Sequence, residues 1–158
     1  MSSASTADHE STRRRAQLRH VADRYFAALA AHRIEDVPYA QDVVLRSPLA
    51  PPDGRLPYEA YPITGREAVR EWFRAIYPLL GPTTVLAHYY DEELTTIVTR
   101  ADVGITSPLC ALRVVDRFTV NAAGEIVEQE NHYDPRPVTQ AVPVDAGAAT
   151  SNAERELL

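Results

Sequence analysis

The chain has 158 residues, 45% of them hydrophobic and 24% charged, which is the composition of a globular domain long enough to bury one core. Sixteen basic residues against 22 acidic ones give a net charge of -6, and this balance argues against a nucleic-acid partner. All sixteen basic residues are arginine, so chemistry that needs a lysine amine, such as a Schiff base or a Gly-Lys phosphate loop, is excluded.

Residues 1–12, MSSASTADHEST, are polar and lack the apolar core of a secretory leader, so they read as a flexible N-terminal tail. From Arg13 to Arg33 the apolar positions Leu18, Val21, Ala22, Tyr25 and Leu29 repeat as an amphipathic helix does, with Tyr25 on the buried stripe. A short second helix is expected from Ile34 to Ala40, broken near Pro38, and then a strand from Asp42 to Arg46. Residues 47–64 hold five prolines and no periodicity. Such a loop reads as the rim of a functional site, with Tyr58 and Tyr61 lending it an apolar face. Thr64 and Glu67 have the spacing of a capping box, which opens a helix over Arg66 to Pro78 that buries Ala68, Val69, Trp72, Phe73 and Ile76.

After Pro82 the character changes to β-branched and aromatic runs at 83–90, 94–105, 109–120 and 125–133, separated by turn residues. Helices followed by consecutive strands predict an α+β fold, a curved antiparallel sheet with helices on one face. One domain over 13–137 is expected, with a loose C-terminal tail over 138–158. Cys110 is the only cysteine, which rules out an internal disulfide, and the histidines do not cluster at metal-ligand spacing, so no metal is expected. No apolar run reaches the ~20 residues of a membrane span, and a cytoplasmic location is the simplest expectation.

In LCALRVVDRFTV one strand face carries Cys110, Leu112, Val114, Asp116, Phe118 and Val120. Asp116 is therefore a carboxyl group among core residues. Either a buried arginine such as Arg46 pairs with it, or burial keeps it protonated and able to donate a hydrogen bond. In the preceding strand Arg100 and Asp102 lie two apart on one face and suit a charge-assisted pair. Val127, Gln129, Asn131 and Tyr133 share a face of the last strand, opposite Glu128, Glu130 and His132. His132, between two glutamates, reads as a solvated or interface residue, whereas His88 reads either as a satisfied core histidine or as a pocket base.

Together these segments, over about residues 15–136, resemble the cone-shaped α+β superfamily of nuclear-transport-factor-2-like proteins, which includes ketosteroid isomerase, limonene epoxide hydrolase and the SnoaL-like polyketide cyclases. RYFAALAAHRIEDV resembles the isomerase helix whose tyrosine supplies an oxyanion-hole hydroxyl, here Tyr25. LCALRVVDRF resembles the strand bearing its second donor, a protonated aspartic acid, here Asp116, and Tyr39 matches a tyrosine that supports this network. Where the isomerase places its aspartate base, RSPL has Ser47. VTRAD resembles the epoxide hydrolase strand with its Arg and Asp, here Arg100 and Asp102, while Asn131, Val44 and Arg46 stand where that enzyme has its other polar residues.

What the resemblance implies is a cofactor-free isomerase or cyclase acting on a hydrophobic polyketide- or terpenoid-like molecule. Asp102 would be the acid/base group steered by Arg100, with Tyr25 and Asp116 as oxyanion donors. Tyr39, Arg46, Tyr58, Tyr61, Trp72, Phe73, His88, Gln129, Asn131 and Tyr133 would bind substrate. Epoxide opening is the second expectation, and a non-catalytic ligand-binding module the third. A homodimer through the outer sheet face is also expected, with Arg113, Val115, Arg117 and Thr119 set against Glu128, Glu130 and His132.

Overall fold

A computed structural model describes residues 3–48 and 62–139. The first helix, α1 (Ser3–Ala30), buries the predicted stripe and adds Phe26 to it. It begins ten residues before the expected Arg13, because an exposed polar helical turn leaves no apolar periodicity to read. Arg14 anchors this part of the helix, donating to the carbonyls of Leu94, Val120 and Asn121 at the turns of the sheet.

Only a 3-10 turn, Ile34–Asp36, follows, because Pro38 turns the chain out of helical geometry and β1 (Tyr39–Arg46) starts at the next residue. The expected capping box does not form. Thr64 lies in the short strand β2 (Ile63–Thr64), opposite Val44, and Gly65 caps helix α2 (Arg66–Ile76) without a side-chain bond. Gly65 has φ +98, a conformation that favours glycine over threonine. Val69 and Phe73 are the buried residues of α2, with Trp72 and Ile76 half-buried and Ala68 exposed.

A second 3-10 turn, Tyr77–Leu79, leads into β3 (Leu80–Tyr90), β4 (Thr96–Thr106), β5 (Leu109–Val120) and β6 (Ile126–His132), and a final turn of helix, α3, spans Arg136–Thr139. The strands form one sheet in the order β2-β1-β6-β5-β4-β3. The four long strands are joined in sequence and pair antiparallel, as short connections require, whereas β1 enters parallel to β6. Register shifts in β1, β3 and β5 mark the bulges that bend the sheet around α1 and α2. At Gly104 a Cβ would sit 2.9 Å from the Pro82 carbonyl oxygen, so the close β3-to-β4 approach depends on that glycine.

The core lies between the concave sheet face and the helices. Tyr25 packs edge-on to Phe26 at 4.9 Å and to Phe118 at 5.0 Å between ring centroids, which ties α1 to β5. None of the described helices is long and apolar enough to cross a membrane.

Candidate active site

Two helices and four strands of the sheet converge on a cavity of about 40 Å³ inside the cone. Its wall is apolar: Leu29 from α1, Trp72, Phe73 and Ile76 from α2, and Leu80, Val103, Ile105, Leu112 and Val114 from the sheet. One end is polar, made by Tyr25, Asp116, Asn131 and Tyr133. The helical stripe delivers Tyr25, and alternation along β5 delivers Asp116 two residues from Val114 on the same face. Room on this scale holds a few waters, so a larger guest has to displace the half-buried Trp72 or Ile76.

Asp116 is 2% exposed, and its Oδ1 has no hydrogen-bond partner among the described residues. Burial pushes its carboxyl well above the usual carboxylate range, because the charged form would lose its hydration without gaining a counter-charge. The Tyr25 hydroxyl is also raised, first by burial and then by Asp116, with a hydrogen bond from Gln129 opposing the shift. Tyr39 is raised by burial and by Asp116 in turn. The cluster therefore favours its neutral, hydrogen-donating forms.

Behind the cavity, the Tyr39 hydroxyl donates to Gln129 Oε1 at 2.7 Å, and Gln129 Nε2 donates to Asn131 Oδ1 at 2.8 Å. This buried chain fixes which way round the Asn131 amide sits. Ser47, which stands where the resemblance expects an aspartate, is buried and shares a hydrogen bond of 3.1 Å with the Tyr133 hydroxyl at the cavity edge.

Arg100 and Asp102 are not in the cavity. Ile97, Thr99, Ala101, Val103 and Ile105 form the buried face of β4, and strand alternation puts Arg100 and Asp102 on the convex side. There Asp102 pairs with Arg113 of β5, and that guanidinium, with a smaller effect from Arg100, holds the Asp102 carboxyl below its ordinary value. The expected role of Asp102 as acid/base group inside the site is corrected accordingly. Arg46 also faces outward, bonded to Glu128 at 2.6 Å, so it neither pairs with Asp116 nor lines the cavity.

His88 does not line the cavity either; its ring bridges Thr99 and Asp23. Tyr58 and Tyr61 lie outside the described residues. Trp72, Phe73, Asn131 and Tyr133 are at the cavity, with Gln129 and Tyr39 supporting it from behind. The wall residues Leu29, Ile76, Leu80, Val103, Ile105, Leu112 and Val114 are not among the site residues read from the sequence, since alternation groups Val103 with Ile105 without telling that their face is the inner one. A larger open groove of about 930 Å³ lies at the other end of the molecule, along Glu10, Arg13, Arg14, Glu93 and Asn121, and touches none of the groups above.

Residues 22–129 match the family model of the SnoaL-like domain. The chain belongs to the SnoaL-like domain family. No curated protein matches the sequence. Among solved structures, this SnoaL-like chain is similar to a Mycobacterium tuberculosis protein crystallised with estradiol-17beta-hemisuccinate, at 19% identity and TM-score 0.60 over 75% of this chain and 94% of that one. It is also similar to a steroid delta-isomerase from Pseudomonas aeruginosa, at 16% identity and TM-score 0.59, covering 77% and 82%. A third is SalBIII, described as an epoxide hydrolase/cyclase-like enzyme in pyran ring formation in the polyether salinomycin, at 15% identity and TM-score 0.57, covering 78% and 92%. At these identities the likeness is one of fold, and it agrees with a SnoaL-like cone built on α1, α2 and a curved mixed sheet.

Proposed function

We propose that this protein is a cofactor-free isomerase or cyclase for a hydrophobic, polyketide- or terpenoid-like small molecule, and that its chemistry is acid-led. One observation carries the reading: a buried carboxyl with an unpartnered oxygen sits beside the Tyr25 hydroxyl at the polar end of an apolar cavity. Among the described residues that line this cavity Asp116 is the only carboxyl, so proton abstraction by an ionised carboxylate has no other group to do it. Protonating an oxygen suits the site better.

An epoxide opened by the substrate's own hydroxyl fits these groups. Asp116 gives its proton to the epoxide oxygen as the C–O bond breaks, and Tyr25 donates to the same oxygen. The new C–O bond forms from the hydroxyl, whose proton passes to a water of the cavity, and Asp116 is left ionised until it is recharged. A preorganised donor of this kind is worth on the order of 10²-fold or more in rate, because it needs no reorganisation as charge develops. The similar steroid delta-isomerase and epoxide hydrolase/cyclase-like folds support the reaction class. The apolar wall of Trp72, Phe73 and Ile76 supports a hydrophobic substrate.

The convex face supports a homodimer, because Val115 is exposed there beside the ion pairs Arg113–Asp102 and Arg117–Glu130. For the reaction, the test is conversion of 4,5-epoxyhexan-1-ol to cyclic ether, followed by gas chromatography. Wild-type protein should accelerate it, and Asp116→Ala should lose roughly 10²-fold or more. Equal rates in the two proteins refute the reading. Tight binding of estradiol-17beta-hemisuccinate without any turnover would favour a non-catalytic binding module.

A further inference from the structure

An acid that gives up its proton has to regain one, and the surroundings of Asp116 restrict how. The cavity side is mostly apolar beyond Tyr25, Asn131 and Tyr133, and a bound guest takes the place of any water there. On the other side, directly across the strand pair, stands Thr99, the β4 partner of Asp116 in the antiparallel register. Cross-strand partners on one face hold their Cβ atoms about 4.5–5.5 Å apart. Thr99 is wholly buried among Ile97, Ala101 and Val103, an environment that asks for no hydroxyl. Its Oγ1 is 2.9 Å from His88 Nδ1 on β3. His88 Nε2 is in turn 3.1 Å from Oδ1 of Asp23 on α1. The Asp23 side chain is 48% exposed and that of His88 10%. Both line an open groove of about 490 Å³ between α1 and β3. The charged and titratable groups facing His88 there are Asp23 and Arg19 of α1, the latter 3.6 Å from Asp23, with Tyr90 on its own strand.

We propose that Thr99 and His88, the latter oriented by Asp23, form a proton relay that joins the outer groove to Asp116. The inference rests on the acid role of Asp116 stated above. In the recharging step the Thr99 hydroxyl passes its proton to the Asp116 carboxylate and takes one from Nδ1 of a neutral His88, while Nε2 of the same ring takes one from groove water in a single concerted shift, so the ring stays neutral throughout. Asp23 holds the ring in the orientation that keeps Nδ1 on Thr99. One proton enters from water and one is delivered to Asp116, so the step balances. Thr99 and His88 are positioning residues, because they act on substrate only through Asp116. The polar residues form a row across β3, β4 and β5, and alternation along each strand separates them in sequence while the register aligns them.

The test needs no substrate. The carboxylic-acid C=O band of Asp116, assigned as the band that Asp116→Asn removes, is followed by stopped-flow infrared spectroscopy after mixing into D2O at neutral pH. Its shift reports exchange of the carboxyl proton. Thr99→Val, which keeps the side-chain shape without the hydroxyl, and His88→Gln should each slow that exchange by roughly 10²-fold, the scale of a positioned proton-transfer group. Thr99→Ser should restore the wild-type rate, and a purely structural role would change melting temperature while leaving the rate unmoved. Wild-type exchange in folded Thr99→Val, or in His88→Gln should the valine variant fail to fold, overturns the relay while leaving the acid assignment intact. Absence of any acid band in wild-type protein overturns both.

Discussion

Replacing Asp116 with asparagine tests the central electrostatic claim without any knowledge of substrate. In the unfolded chain the carboxyl ionises near 3.9, whereas the folded protein holds it well above the usual carboxylate range because the group is buried and no cation among the described residues offsets that burial. Between those two values the native state carries the extra proton. Stability is therefore greatest below the unfolded value and falls as pH rises towards the folded one, by about 1.4 kcal/mol per pH unit. Over two units the loss is about 2.7 kcal/mol, a large share of the 5–15 kcal/mol typical of a domain.

Asparagine has nearly the same shape and no ionisable proton, so this slope disappears in the variant. Asp102 and Glu130 are lowered by Arg113 and Arg117, and they lose stability in the opposite direction, as pH falls. Both proteins share that behaviour, and it cancels in the difference. Urea unfolding at intervals between pH 4 and 7 is the assay. The stability of Asp116→Asn minus that of wild type should climb by about 1.4 kcal/mol per unit until the folded carboxyl ionises, equivalent to roughly 2–4 °C of melting temperature per kcal/mol. Parallel pH curves for the two proteins refute the neutral-acid assignment.

Asp102→Asn should leave both turnover of the epoxide probe and the melting temperature nearly unchanged, since it removes only an exposed ion pair with Arg113; a 10²-fold loss of rate would return Asp102 to the chemistry. Tyr39→Phe takes the donor from Gln129 inside the core, so denaturation should show a loss of about 1–3 kcal/mol. That variant should also lower turnover, because the Asn131 amide is no longer held, and unchanged stability and rate would show the chain to be slack. Val115→Glu puts a charge into an exposed apolar position of the convex face, where its cross-strand partners are Arg100 and His132, and should turn a dimer into a monomer in sedimentation, whereas a wild-type monomer at micromolar concentration removes the dimer proposal.

Local pattern was enough for much of the fold. The stripe of Leu18, Val21, Tyr25 and Leu29 placed a helix, and the β-branched runs after Pro82 placed four antiparallel strands. Alternation in LCALRVVDRFTV put Asp116 on the core face beside Val114 and Phe118, because a side chain's face follows from its parity along a strand. Parity does not say which of two faces is the inner one. In β4 the charged pair Arg100 and Asp102 suggested chemistry, yet Ile97, Ala101, Val103 and Ile105 had the stronger demand for burial and turned it outward. Thr64 likewise has the letters of a helix cap, but pairing with Val44 claimed it for a strand.

Contacts between distant segments belonged to tertiary structure alone. Asp23 and His88 are 65 positions apart, Tyr39 and Gln129 are 90, and no local spacing relates them. They meet because the curved sheet wraps α1 and brings β1 alongside β6. Chain order sets what each segment is, from the period of its own side chains; which polar groups end up facing one another in the dry interior depends on strand register and helix placement, and these settle only when the whole core packs.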